Sequence, residues 1–120
     1  MLSDPNRPLY EVKAGLFKGL AHPIRIRILE VLSAAPEVSV SELLDVIDLE
    51  ASHVSQHLAV LRRNRLVVSE RRGSLVYYRL AYPQVADLLR VARALLGEIL
   101  RTTQEQLVEQ GGLPDIPVRA

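Results

Sequence analysis

The sequence predicts a mainly α-helical fold interrupted by one β-hairpin: five helices and two strands. Three observations carry this. Apolar residues recur at three- and four-residue steps over most of the 120 residues. The period switches once, over 66–80, to extended runs rich in Val, Leu and Tyr. Charges break every apolar run before the ~18–20 residues that a membrane span needs, so the apolar segments, 48% of the chain by composition, are read as core. The chain has no cysteine, which excludes a disulfide framework, a thiolate metal site and a cysteine nucleophile. The opening MLSDPNRPLYE lacks the basic and apolar regions of a signal peptide, and a cytoplasmic setting is expected.

Residues 1–8 read as an arm, 9–109 as one domain and 110–120 as a disordered tail. The first helix covers 9–20, with Leu9, Val12, Leu16 and Leu20 near one face. Gly15 and Gly19 weaken it, so packing has to hold it. Ala21-His22-Pro23 breaks the pattern; His22 suits a cap and Pro23 the first turn of the next helix, where its missing N–H is no loss. That helix runs to about Leu32 and buries Ile24, Ile28, Leu29 and Leu32. Ser39-Val40-Ser41-Glu42 matches a capping box and opens a short third helix with Leu43, Leu44 and Ile47. After the tight connection Asp48-Leu49-Glu50, a fourth helix from about Ala51 to Asn64 turns Val54, Leu58 and Leu61 inward. Two extended runs, 66–71 and 75–80, flank the turn residues Arg72-Gly73-Ser74. A last helix over 83–109 carries an apolar stripe that includes Leu88, Leu89, Ala92, Leu95, Leu96 and Ile99.

Charge is distributed in blocks that the net value of +1 conceals. Residues 37–50 hold five acids and no base, whereas 51–80 hold six arginines and one Glu. The basic block coincides with the fourth helix and the hairpin. Two short helices joined by a tight turn, followed by a basic hairpin, make a winged helix-turn-helix, and the chemistry suits double-stranded DNA. The fourth helix offers small polar residues opposite its apolar stripe, so its backbone can approach a groove closely. Gln56 can pair with adenine, and Ser52, His53 and Ser55 can reach a base edge or a phosphate. Arg62, Arg63 and Arg65 close the helix, where they oppose its dipole and can meet phosphate. Arg71, Arg72 and Ser74 sit at the hairpin tip, in reach of a neighbouring minor groove or backbone.

Three segments, in this order and spacing, resemble the ArsR/SmtB family of bacterial winged-helix repressors over roughly 9–105. They are Leu20-Ala21-His22-Pro23-Ile24-Arg25-Ile26-Arg27-Ile28-Leu29, Ser52-His53-Val54-Ser55-Gln56-His57-Leu58-Ala59-Val60-Leu61-Arg62 and Gly73-Ser74-Leu75-Val76-Tyr77-Tyr78. The resemblance implies a homodimer joined through the first and last helices, bound to an imperfect palindrome near a promoter. The stripe residues Leu9, Val12, Leu16, Leu88, Leu89, Ala92, Leu95, Leu96 and Ile99 would form that interface. The family's metal sensors carry cysteines on the third helix, where this chain has Val40-Ser41-Glu42-Leu43-Leu44-Asp45. Others use a carboxylate and histidines on the last helix; Asp87 is present, but Leu89 stands at the next ligand position and that helix has no histidine. The resemblance thus supports a repressor without the family's metal site, and no cofactor is expected. Glu50-Ala51 replaces the family's Ser cap and following Gln, so the operator should differ from the common one.

His53 and His57 are four apart, a metal-ligand spacing on a helix. Apart from Glu50, no third ligand is close in sequence, and they read as DNA contacts, or His57 as a support of the helix packing. Tyr77 and Tyr78 should divide between the core and the outer face. A nucleophile elbow, a phosphate-cradling glycine loop and a paired-carboxylate pattern are all lacking, so no enzyme is expected. Two alternatives stay open. One is a metal- or small-molecule-responsive repressor using the oxygen donors Asp87, Glu98, Glu105 and Glu109. The other is a protein-docking module whose basic block meets an acidic partner.

Overall fold

A computed structural model describes residues 5–111. Residues 1–4 of the expected arm and 112–120 of the expected tail lie outside the described residues. The elements in order are α1 (Leu9–Leu20), α2 (Pro23–Ser33), β1 (Val38–Ser39), α3 (Val40–Val46), α4 (Ala51–Arg63), β2 (Val67–Arg72), β3 (Leu75–Leu80) and α5 (Gln84–Glu109). The described chain divides into two compact units, one reaching Ala86 and one running from Asp87 along α5.

In the first unit, local chemistry sets each helix start. His22 caps α2: its Nδ1 accepts from the Ile24 N–H at 3.1 Å, with Pro23 in the first turn. The Ser39 capping box is complete, with Glu42 N–H donating to Ser39 Oγ and Ser39 N–H donating to Glu42 Oε1, each at 3.1 Å. α1 ends on a close approach, where a Cβ on Gly19 would stand 2.9 Å from Asn64 Cγ. Gly19 therefore lets α1 meet the end of α4, at the helix-propensity cost noted above.

α4 ends in a Schellman pattern. The Arg65 N–H donates to the Arg62 carbonyl and the Leu66 N–H to the Leu61 carbonyl, each at 3.0 Å. The left-handed position of that motif favours glycine, yet Arg65 occupies it with φ +61°. A side chain held there costs about 1 kcal/mol.

The sheet departs from the two-stranded expectation. β1 pairs antiparallel with the outer side of β3, Val38 opposite Tyr78 and Ser39 opposite Tyr77, giving the order β1-β3-β2. Two residues show no alternating pattern, so this strand is invisible to periodicity. It ties the start of α3 to the hairpin, because Ser39 is both a sheet residue and the cap of α3. The hairpin itself runs from Val67 opposite Leu80 to Arg72 opposite Leu75. Gly73 takes φ +62° at the first position of the two-residue turn, the place that a type II′ turn reserves for glycine.

The core of this unit is Ile28, Leu29 and Leu32 of α2, Leu43 of α3, Val54, Leu58 and Leu61 of α4, and Val67 and Tyr78 of the sheet, all buried. Ile24, expected inside, is only half-buried. Tyr78 goes inward and Tyr77 is half-buried, the division that strand alternation requires. In the second unit, α5 presents exposed apolar residues: Val91, Leu95, Leu96, Ile99 and Leu100. Its charges are largely paired along the helix, Arg90 with Asp87, and Arg101 with Glu98 and Glu105.

Candidate nucleic-acid interface

The three buried residues of α4 fix which of its side chains face outward. Val54, Leu58 and Leu61 lie on one side at four- and three-residue steps. Ser52, His53, Ser55 and Gln56 are consequently exposed along the first two turns, and Arg62 and Arg63 at the end. Ala59 and Val60, between these groups, are only half-buried, so the face is small as well as polar.

A groove of about 540 Å³ separates this helix from α3 and the hairpin. It brings together Ser55 and Arg62 of α4 and Ser74 of the hairpin turn, three residues singled out from sequence that lie far apart along the chain. Ser41 of α3 also lines it, over a floor that includes Leu44 and Ala59. Ser41 escaped the sequence reading because its only signal is membership of the Ser39 capping box.

The arginines divide sharply. Among the described residues, Arg62, Arg63, Arg65, Arg71 and Arg79 have no carboxylate within ion-pair distance. Arg72 is different. It is ion-paired with Glu37, lies 3.6 Å from Glu70, and stands with its guanidinium carbon 4.0 Å from the centre of the Tyr77 ring. The hydrogen bond from Arg72 holds the Glu37 carboxyl below its ordinary range, and Glu37 in turn raises Arg72. Glu37 precedes Arg72 by 35 residues, so no local pattern pairs them. Arg71 has Val76 as its cross-strand neighbour, and Val76 lines the groove toward α4. Leu75, opposite Arg72, lines the same groove, so the two arginines differ in their partners: Arg72 is held by Glu37, Glu70 and the Tyr77 ring.

His57 is likewise turned from the exposed face. Its ring centroid is 4.3 Å from that of His22, at the α2 cap. Burial pulls its pKa below the ordinary value, reinforced by the charges of His22, Arg25 and His53. His57 thus stands half-buried against the cap of α2.

Among the described residues no group of three or more His, Cys, Asp or Glu side chains could hold a metal ion. Of the four oxygen donors considered on α5, Asp87 is paired with Arg90, and Glu98 and Glu105 with Arg101. Among the described residues no helix is long and apolar enough to cross a membrane.

The expected interface residues also have definite places. In α1, Leu9 is exposed, and Val12 and Leu16 are half-buried. In α5, Leu88 and Leu89 are half-buried, and Ala92, Leu95, Leu96 and Ile99 are exposed.

Comparison with known proteins agrees with this geometry. A helix-turn-helix domain family matches residues 20–70. The HTH-type transcriptional regulator Rv0081 of Mycobacterium tuberculosis is 49% identical over 96 residues, 79% of this chain and 83% of its own length. Its crystal structure superposes with a TM-score of 0.75 at 47% identity, covering 82% of this chain and 98% of that one. The HTH-type transcriptional repressor SmtB of the same organism is 36% identical over 80% of this chain and 70% of its own. The transcriptional repressor PagR of Bacillus anthracis matches as a crystal structure with TM-score 0.62 and 30% identity, over 70% of this chain and 95% of that one. Sequence, fold and groove agree that this chain is a DNA-binding transcriptional regulator, and it belongs to the ArsR/SmtB family of winged-helix regulators.

Proposed function

We propose that the chain acts as a homodimeric, non-enzymatic repressor in the cytoplasm, binding an inverted-repeat operator. The observation that carries this reading is the groove between α4 and the hairpin, lined by Ser55, Arg62 and Ser74, beside arginines that have no carboxylate partner among the described residues. Gln56, Ser55, Ser52 and His53 read base edges from the major groove. Arg62, Arg63, Arg71 and Ser74 hold the phosphate backbone and set the register. Arg72 and His57 leave that set, because each is engaged with other protein groups.

Dimerisation is supported by the apolar residues left exposed on α1 and α5, Leu9 at 68%, Leu95 at 60% and Ile99 at 50%. Two copies related by a two-fold axis require half-sites about 10 bp apart, centre to centre. The names of SmtB and PagR as repressors support repression as the output.

The test is a titration of the chain against the intergenic DNA upstream of its own gene, with scrambled competitor, at about 50 and 200 mM salt. Specific binding is expected to exceed non-specific binding by ~10³-fold or more and to weaken with salt. Equal weak binding to both DNAs would overturn a specific operator in the upstream DNA and favour a non-specific or protein-docking role. Binding of an acidic protein without any DNA preference would favour a docking module.

A further inference from the structure

The C-terminal end of α4 and the base of the hairpin flank a second, open cleft of about 420 Å³. It lies at the Val67–Leu80 end of the strands, opposite the Gly73-Ser74 turn. Its floor is apolar, formed by Val67, Val68 and Ala81. Its rim carries Arg62, Arg65, Ser69 and Tyr82, which is 56% exposed. Among the described residues no Asp or Glu lines the cleft. Neither arginine has an ion-pair partner among the described residues. Two guanidinium groups without a counter-charge, above an apolar floor, are complementary to an organic anion.

Arg65 supplies an independent observation. It occupies the left-handed position where glycine is cheaper, and its side chain makes no hydrogen bond or ion pair among the described residues. Strain of this kind persists where a side chain is needed for something other than the fold.

We propose that this cleft binds a small organic anion with an aromatic body and a carboxylate head, and that the ligand regulates DNA binding. The carboxylate accepts hydrogen bonds from Arg62 and Arg65, and the ring packs on Val68 and Ala81 beside Tyr82. Arg62 lines both this cleft and the groove toward the hairpin turn. A carboxylate that draws Arg62 into the cleft withdraws a cation from the phosphate backbone, and this regulatory half rests on the function proposed above.

The full chain, free of DNA, is titrated calorimetrically with 2-naphthoate and with its neutral isostere 2-naphthamide. Saturable binding is expected, about tenfold or more tighter for the anion. Arg65→Gly should keep or raise the thermal midpoint, since glycine suits φ +61°, and should lose the preference for the anion. Equal affinities for the two compounds, no saturation at millimolar concentration, or an unchanged preference in Arg65→Gly would each overturn the site.

Operator titrations then test regulation. Saturating 2-naphthoate is expected to weaken DNA binding by the wild type about tenfold and to leave Arg65→Gly unaffected. A bound ligand that changes nothing would overturn the regulatory half alone. Absence of specific DNA binding without naphthoate would overturn the function proposed above, and the calorimetry would still decide the site.

Discussion

Arg71 and Arg72 are neighbours at the hairpin tip, yet alanine at the two positions should have different consequences for DNA binding. Arg72 sits between two carboxylates, Glu37 and Glu70, so the trio carries a net charge of −1 and offers a phosphate no net attraction. Among the described residues Arg71 has no such partner, and its cross-strand neighbour Val76 lines the groove. Each phosphate contact contributes about 0.9 to the slope of log affinity against log salt. Arg71→Ala in a dimer removes two contacts and should flatten that slope by about 1.8. Between about 50 and 200 mM salt, the wild type should therefore lose ~12-fold more affinity than the variant. Arg72→Ala should leave the slope unchanged and lower hairpin stability instead. Glu37→Gln frees Arg72 from one of its carboxylates and should steepen the slope. The assay is fluorescence anisotropy with labelled operator at four or five salt concentrations, with urea denaturation as the control for folding. An Arg72→Ala slope as flat as that of Arg71→Ala would refute the reasoning, since it would mean that the ion pairs do not withhold Arg72 from phosphate.

Three other outcomes are expected. Gln56→Ala should cost about 1–3 kcal/mol on the operator and little on random DNA; equal losses on both, in competition binding, would remove Gln56 from base readout. Leu95→Glu places a charge in the exposed apolar stripe of α5 and should convert a dimer to monomers in sedimentation velocity, with loss of operator binding; an unchanged sedimentation coefficient would move the interface elsewhere. His57 titrates below its ordinary value of 6.5, chiefly because it is buried, so near that pH the unfolded chain binds more protons there than the folded chain. Stability should therefore be present above 6.5 and be lost as the pH falls through the lowered folded value. His57→Gln should flatten the fall in thermal midpoint between about pH 7.5 and 5; parallel curves for the two proteins would exclude His57 as its source.

The legible parts of the fold were those whose signal is local. The capping box at Ser39 and Glu42, the His22-Pro23 start of α2, the glycine turn at Gly73 and the inward spacing of Val54, Leu58 and Leu61 all involve residues within a few positions of one another. The polar face of α4 followed directly, because a helix that buries one stripe must expose the opposite one. β1 was not legible, since two residues have no period and its pairing partner lies about forty residues away. Arg65 offered a weak signal, as the residue just past a helix end where glycine is usual, but its left-handed φ is a property of the folded backbone.

The sequence by itself determined the succession of elements, the basic block across α4 and the hairpin, and the family pattern, because capping, periodicity and turn chemistry act over a few residues. Tertiary structure alone decided which charges are free. Arg72 and Glu37 are distant along the chain and adjacent in space, and so are His57 and His22. Arg62, Ser55, Ser41 and Ser74 become one groove only once the hairpin packs beside α3 and α4. A side chain's charge is written in the sequence; whether another group already neutralises or buries it depends on contacts that form only when the chain folds.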